Sequence, residues 1–273
     1  MMSLVIVALG FILGVPEIGT PQALFSLFHT LLGSALIAGG SFALNQTMEC
    51  HADAKMLRTR HRPIPSGRIT PFAAMMFGTA LTLAGVFYLV EMVNLISAFV
   101  GLLIAFLYVL VYTPLKARTW LNTPIGAIPG ALPPMLGWAA ATGNIGIEAW
   151  ILFAILFFWQ HPHFYAIAWI YRDDYARGGF QMLPVIEPSG ARTVRQILFY
   201  ALFLIPISIL PFTTGMTGWI YLSGTLFLGF YFLLNGIYLA KDRTISSARK
   251  LLKASLIYLP ALLGLIVVDA WIA

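Results

Sequence analysis

"LISAFVGLLIAFLYVLVY", residues 95–112, contains no charged side chain. A run of about 20 apolar residues crosses the roughly 30 Å hydrocarbon core of a bilayer as a helix, because a helix satisfies its own backbone polar groups where water is absent. The same texture recurs in "YLSGTLFLGFYFLLNGIYLA" at 221–240. It sets the character of the whole chain, which is 60% hydrophobic and 10% charged over 273 residues, with a mean hydropathy of +0.87. Read in order, such runs predict an all-α integral membrane protein with nine transmembrane helices, near 2–16, 23–45, 70–90, 94–113, 122–142, 147–170, 195–213, 217–240 and 252–272. The first run begins at Met1 and resembles a signal peptide in length. No basic segment precedes it and no small-residue cleavage site follows it, so it is read as a genuine, short first helix.

The basic residues orient these spans. Lys55, Arg58, Arg60, Arg62 and Arg68 follow span 2, and Lys116 and Arg118 follow span 4. Arg172, Arg177, Arg192 and Arg195 follow span 6, and Lys241, Arg243, Arg249, Lys250 and Lys253 follow span 8. These are all 16 Lys and Arg residues, and a nine-span count puts every one on the same side. The loops after spans 1, 3, 5 and 7 carry acids such as Glu17, Glu91 and Glu148 instead. Positive charge stays cytoplasmic, so the N-terminus is expected inside and the C-terminus outside. The formal net charge of +6 then reads as topology, with attraction to anionic lipid or an anionic substrate. No basic face is left for nucleic acid. The single cysteine, Cys50, excludes an internal disulfide framework and a four-Cys metal site. Residues 1–273 are expected to form one membrane domain.

Against this background "LNQTMECHADAKMLRTRHRPIPSGR", residues 44–68, is unusually polar. Asn45, Glu49 and Asp53 are spaced four apart, which on a helix makes one ladder on one face. Carboxylates at membrane depth are costly and usually face a polar cavity. Mg²⁺ takes oxygen ligands and is commonly held by one or two carboxylates together with substrate phosphates. Arg58, Arg60 and Arg62 follow directly with Lys55 nearby, and guanidinium forks suit phosphate oxygens. Acids for a metal followed by bases for phosphate make a diphosphate site. The competing reading is that the arginines anchor the membrane edge and the acids merely pair with them. "RPIPSGR" is expected to turn, with Pro63 and Pro65 ending the helix and Gly67 permitting the reversal.

Two further clusters join the first. In "FFWQHPHFYAIAWIYRDDYARGGFQMLP", 157–184, His161 and His163 lie inside span 6 beside Pro162, with Trp159 and Phe164 around them. Imidazole serves as a base near neutral pH or as a metal ligand, although a buried histidine is often only structural. Asp173 and Asp174 close that helix at the depth of Glu49 and Asp53, where either a second metal site or a solvated helix end is expected. In "YTPLKARTWLNTPIGAIPGALPPMLGW", 112–138, Lys116 and Arg118 are placed to reach a diphosphate, Thr119 and Asn122 to cap the next helix, and "GALPP" to kink the span. Gly126, Gly130 and Gly137 permit close helix packing. Aromatic faces such as Trp159, Phe164 and Tyr112 suit an allylic cation.

The spacing in "NQTMECHAD" resembles the first acidic motif of the UbiA-type intramembrane prenyltransferases. "MLRTRHRPIPSGRI", "YTPLKARTWLNTPIGAIPGALPPMLGW" and "WQHPHFYAIAWIYRDDYARGGFQMLP" resemble signature blocks of the protoheme IX farnesyltransferase (heme O synthase) branch of that family. The resemblance implies nine helices around a central cavity open toward the cytoplasmic face, and a bare prokaryote-like core without a transit peptide favours a bacterial inner membrane over a mitochondrial one. It implies that farnesyl diphosphate and heme B are substrates, that Mg²⁺ is required, and that heme A synthase is a partner. The farnesyl group would join the 2-vinyl group of heme B, and water would add to give heme O.

By the same resemblance Asn45, Glu49 and Asp53 would hold Mg²⁺–diphosphate, and Asp174, with Asp173 beside it, would serve the second site. Arg58, Arg62, Lys116 and Arg118 would grip phosphate. His163 and His161 would lie on the heme side, as axial ligand or as acid/base, with Tyr112 and Trp159 lining the substrate. Glu49 stands where the family usually has Asp, Gly178 and Gln181 replace Ala and Pro, and the segment expected before span 1 is short. Two rivals are a UbiA-type enzyme with a quinone-precursor or other aromatic acceptor, and a transporter. The histidines argue against the first, and the lack of charge at mid-membrane and on the far side argues against the second.

Overall fold

The computed structural model describes residues 2–272, and among them every regular element is helical. In chain order these are α1 (Met2–Gly14), α2 (Pro21–Met48), α3 (Cys50–Lys55), α4 (Pro71–Met92) and α5 (Leu95–Phe106). A π-helical segment, Leu107–Tyr112, leads from α5 into α6 (Thr113–Leu115). Then come α7 (Asn122–Ala131), α8 (Pro133–Thr142), α9 (Ile147–Ile170), α10 (Arg172–Arg177) and α11 (Leu183–Ile186). The chain closes with α12 (Ala191–Thr213), α13 (Trp219–Asp242) and α14 (Ile245–Ile272). It divides into two compact units, Met1–Phe153 with Asp173–Gln181, and Ala154–Arg172 with Met182–Ala273.

Among the described residues, 7 helices are long and apolar enough to cross a membrane. They are α2, α4, the continuous Leu95–Leu115 stretch, α9, α12, α13 and α14. Large side chains such as Phe72, Phe87, Leu95 and Phe227 stay exposed on their outer faces, as a hydrocarbon solvent requires. The expected first span is the 13-residue α1, about 20 Å long at 1.5 Å per residue. The expected fifth span is two ten-residue helices joined at Leu132. The break follows from Pro133 and Pro134, which withhold the backbone donors a continuous helix needs.

In the first unit the helices meet on small residues. A Cβ on Gly137 of α8 would stand 1.9 Å from the Val7 carbonyl oxygen of α1, and one on Gly10 2.0 Å from that of Pro134. Likewise α2 and α4 meet at Gly40 and Gly78. Such contact lets backbones approach where lipid supplies no hydrophobic drive. Beside it, Ile37, Leu89, Val100, Met135 and Leu136 form a buried apolar core.

In the second unit α13 packs between α12 and α14. Its N-terminus is closed by Asp269 of α14, which accepts from the amides of Gly218 and, at 3.2 Å, Tyr221. Tyr221 donates to the Ser208 carbonyl at 2.7 Å, and the Ser208 and Tyr258 hydroxyls bond each other at 2.7 Å.

Candidate functional site

α2 runs three residues beyond the expected end of span 2, to Met48, and breaks at Glu49 (φ −94°, ψ 6°) before α3 resumes. The break leaves the ladder intact. Glu49 N donates to Asn45 O at 2.9 Å, and Asp53 N to Glu49 O at 2.8 Å, so the four-residue spacing persists. Asn45, Glu49 and Asp53 are all buried.

Each carboxylate has met a cation. Lys116 Nζ lies 2.7 Å from Glu49 Oε1, 4.6 Å from the Tyr112 ring centre and 5.7 Å from that of Phe180. Arg62 Nη1 lies 2.7 Å from Asp53 Oδ2. The other oxygen of that carboxylate, Oδ1, is buried without a hydrogen-bond partner. Thr59 Oγ1 donates to Asp53 O at 3.0 Å and folds the following loop back over the acid. That loop turns at Gly67, whose φ of +76° bears out the expected reversal. The helix itself stops at Lys55, well before Pro63; the Thr59 bond and the turn bonds from Met56 onward end it, so the prolines do not.

The third rung, Asn45, donates from Nδ2 to Thr113 Oγ1 at 2.9 Å, and Thr113 in turn donates to the Tyr108 carbonyl at 2.8 Å. The π-helical segment puts Thr113 there. π segments occur frequently at functional sites. Tyr112 closes against Gly126, where a Cβ would stand 2.4 Å from the ring.

Asp174 is buried and Asp173 exposed. Asp174 Oδ1 accepts from Leu57 N at 2.8 Å and Arg177 Nη2 at 2.7 Å, and Oδ2 from Arg58 N at 3.3 Å. Desolvation opposes its charge, yet the bonds from Arg177 and the two amides hold its carboxyl below the usual carboxylate range. Asp174 thereby clamps the segment at 56–58 onto α10. Arg58 is exposed, its guanidinium 5.8 Å from the Tyr175 ring centre, and Arg118 is exposed as well.

Asn122 and Thr119 do not cap α7 as expected. Leu121 occupies the cap position, and the Asn122 amide is turned to the carbonyls of Thr119 at 2.6 Å and Gln181 at 3.1 Å. Gln181 N donates to Lys116 O at 2.7 Å, which ties the Lys116 segment to the one after α10.

Among the described residues no three His, Cys, Asp or Glu side chains form a group that could hold a metal ion. The donor set nonetheless fits a hard cation that shares its ligands with a diphosphate. Glu49 and Asp53 supply oxygens on one face, Asp53 Oδ1 has no partner, and one or two carboxylates suffice for Mg²⁺ when phosphates and waters complete it.

In the second unit α9 runs unbroken through Pro162. His161 and His163 differ by two positions, about 200° of helical turn, and therefore meet different neighbours. His161 is fully buried, stacks on Tyr200 with ring centres 3.6 Å apart, and bonds through Nδ1 to the Phe157 carbonyl. His163 stacks on Trp159 at 5.0 Å, and its Nδ1 lies 2.8 Å from Ser255 Oγ. Ser255 Oγ donates to the Leu252 carbonyl at 2.6 Å, so it accepts from His163 Nδ1–H. A neutral ring then carries its lone pair on Nε2. Trp159 Nε1 donates to the Ser255 carbonyl at 3.0 Å, while Phe164 is exposed. Sequence reasoning assigned no role to Thr113, Ser255, Tyr200 or Asp269. Thr113 sat inside a quoted block, but only the π segment reveals where it points, and the other three are joined to their partners by tertiary contact alone.

The model of the UbiA prenyltransferase family matches residues 3–259. A protoheme IX farnesyltransferase of Solibacter usitatus is 51% identical over 246 residues, covering 90% of this chain and 84% of that protein. One of Salinibacter ruber is 46% identical over 254 residues, covering 92% and 90%. A solved structure from work on digeranylgeranylglyceryl phosphate synthase in membranes superposes with a TM-score of 0.82 at 16% identity, covering 100% of this chain and 94% of that one. A UbiA homolog from Archaeoglobus fulgidus bound to DMAPP and Mg²⁺ gives 0.69 at 17% identity, covering 99% and 95%. At these identities the solved structures speak to the fold.

Proposed function

This chain belongs to the UbiA prenyltransferase family, and from that premise we propose that it transfers the farnesyl group of farnesyl diphosphate to the 2-vinyl group of heme B, with addition of water, to give heme O and diphosphate. The observation that carries the acceptor is the 51% and 46% identity, over most of both chains, to proteins named for this transfer. The observation that supports the diphosphate site is the buried Asp53 carboxylate, with one oxygen against Arg62 and the other without a partner.

In this reading Asn45, Glu49, Asp53 and Asp174 would hold Mg²⁺, and the metal would supply positive charge to the departing diphosphate. Arg62 and Lys116 bind phosphate oxygens, and Arg58 and Arg118 draw the anion in from the exposed side. The C1–O bond of the farnesyl group breaks with its electron pair leaving on the diphosphate. Cations already in place at that oxygen stabilise the developing charge without reorganising water. Tyr112 presents its face to the allylic cation. The vinyl π electrons then form the new carbon–carbon bond, and water captures the resulting cation and loses a proton. His163 Nε2, left with the lone pair by the Ser255 bond, serves the heme side with Trp159 stacked against it, while His161 is fully buried against Tyr200 and supports the helix.

The chain would act as a single membrane domain in a bacterial inner membrane. Its N-terminus and diphosphate site would face the cytoplasm, with α1 and the α7–α8 pair completing nine crossings. The test is a product assay on the purified full chain with heme B, farnesyl diphosphate and Mg²⁺. A heme gaining one farnesyl group and one water by mass, absent without metal, supports the proposal. Prenylation of an aromatic acid with heme untouched refutes the acceptor and keeps the transfer.

A further inference from the structure

Five of the six net positive charges of this chain lie between residues 187 and 253. Seven bases (Arg192, Arg195, Lys241, Arg243, Arg249, Lys250 and Lys253) stand there against two acids, Glu187 and Asp242. The fold gathers them. α13 packs on both α12 and α14, the latter a tight reversal away, so the start of α12, the end of α13 and the start of α14 share one end of the second unit. Arg243 Nη1 donates to the Ser189 carbonyl at 3.0 Å and joins the two loops. The acids are already occupied: Glu187 accepts from Ser189 and from Arg192 N, and Asp242 from Ser247 Oγ at 2.6 Å and Thr244 N at 3.2 Å. All seven bases are exposed.

What lies next to them identifies the partner. α14 begins at Ile245, several residues before the expected 252, so Lys253 is a helical residue about 12 Å along the helix. One turn further on the same face stand Leu256 and Ile257, both exposed. On α12, Arg195 is followed four residues later by exposed Phe199, and on α13 Lys241 is preceded three residues earlier by exposed Tyr238. Residues three and four apart share a helix face. Each of the three helices thus presents a cation directly beside an outward apolar side chain, the pattern of a boundary between headgroups and acyl chains, and long basic side chains reach from that position to the headgroup.

We infer that this end of the α12–α13–α14 layer is a binding surface for anionic phospholipid, with its phosphates on Arg195, Lys241, Lys250 and Lys253 and its acyl chains along Phe199, Tyr238, Leu256 and Ile257.

The experiment compares the full chain with the variant R195Q/K241Q/K250Q/K253Q in bilayer discs of phosphatidylcholine alone or with phosphatidylglycerol. Retained lipid is read by native mass spectrometry and stability by thermal melting. The wild type retains phosphatidylglycerol preferentially and melts higher with it, and the difference shrinks with added salt. The variant melts like wild type in phosphatidylcholine and loses the preference by on the order of several hundredfold, at about fivefold per charge near an anionic surface. An equal preference in both proteins overturns the inference. So does an equal shift of the wild type by soluble glycerol phosphate, which marks a phosphate site, or a loss of heme affinity without any lipid preference, which marks a subsite for substrate carboxylates. If the variant does not fold, the salt dependence of the wild-type preference decides alone: a preference indifferent to salt is not carried by these charges.

Discussion

Asp53→Asn separates function from folding at the centre of the polar ladder. The Asp53 side chain is 1% exposed and that of its partner Arg62 35%, so water screens the pair and the ion pair adds about 1 kcal/mol at most. Against this, Oδ1 is buried without a partner, and an unsatisfied buried polar atom costs about 1–3 kcal/mol. The two contributions nearly cancel, and the amide keeps the shape while relieving the burial of charge. The expected melting temperature is therefore unchanged or slightly raised. Activity should fall about 10²–10³-fold, the loss typical of deleting one group aimed at transition-state charge.

The assay pairs thermal melting in detergent with heme product measured by mass. Arg62→Leu supplies the control. It strands the buried Asp53 carboxylate and should cost about 3–5 kcal/mol, a cost that largely disappears when Asp53→Asn is added. If Asp53→Asn instead melts far below wild type, and its activity falls only as the folded fraction falls, Asp53 is a structural residue and the reasoning fails.

Thr113→Val leaves the Asn45 amide and the Tyr108 carbonyl without their hydroxyl. It should cost about 1 kcal/mol, the usual worth of a hydrogen bond between membrane helices, and less in an Asn45→Ala background; additive losses in the melting cycle would deny the bond. Asp174 has a folded-state pKa below that of the unfolded chain. Its contribution is thus complete above the ordinary carboxylate range and is lost as pH falls through and beneath it. Asp174→Asn should flatten that acid limb of the melting-versus-pH curve, and an unaltered limb would show the clamp on residues 57 and 58 to be inert. Asp269→Ala removes the acceptor for the Gly218 and Tyr221 amides and should cost about 1–2 kcal/mol, as loss of a helix cap does; a variant melting like wild type would leave those amides satisfied by water.

The membrane class was legible because it depends on composition and run length, which need no tertiary information. The seven long helices fall where the apolar runs are. The fifth run was read as one continuous span, since hydropathy counts Pro133 and Pro134 as neutral letters while the backbone breaks on them. The ladder of Asn45, Glu49 and Asp53 was legible because its spacing is a helical period that survives the break at Glu49. Their partners were only partly legible. Arg62 lies on the adjoining loop, but Lys116 reaches Glu49 from 67 residues away, and nothing local in "YTPLKAR" announces it. Sequence proximity also misled, because His161 and His163 stand only two positions apart in the string and face different neighbours on the helix.

The pairing in the polar layer of the first unit has a consequence for how an anion enters it. Glu49, Asp53 and Asp174 each contact one cation, Lys116, Arg62 and Arg177 respectively. A diphosphate arriving alone competes with the carboxylates for those cations. If it took Arg62 and Lys116, it would leave Asp53 and Glu49 buried and uncompensated, which is strongly unfavourable. An anion that brings its own divalent cation lets both exchanges occur together, so buried charge stays balanced throughout. With the proposed metal site, the carboxylates would therefore discriminate against the metal-free diphosphate as well as hold the metal. Asp53→Asn removes the competitor for Arg62, and inorganic diphosphate titrated calorimetrically in the presence of chelator should bind the variant several-fold more tightly than wild type, although the variant turns over poorly. If metal-free diphosphate binds the variant no better, Arg62 is not shared between the acid and the anion, and the exchange does not occur.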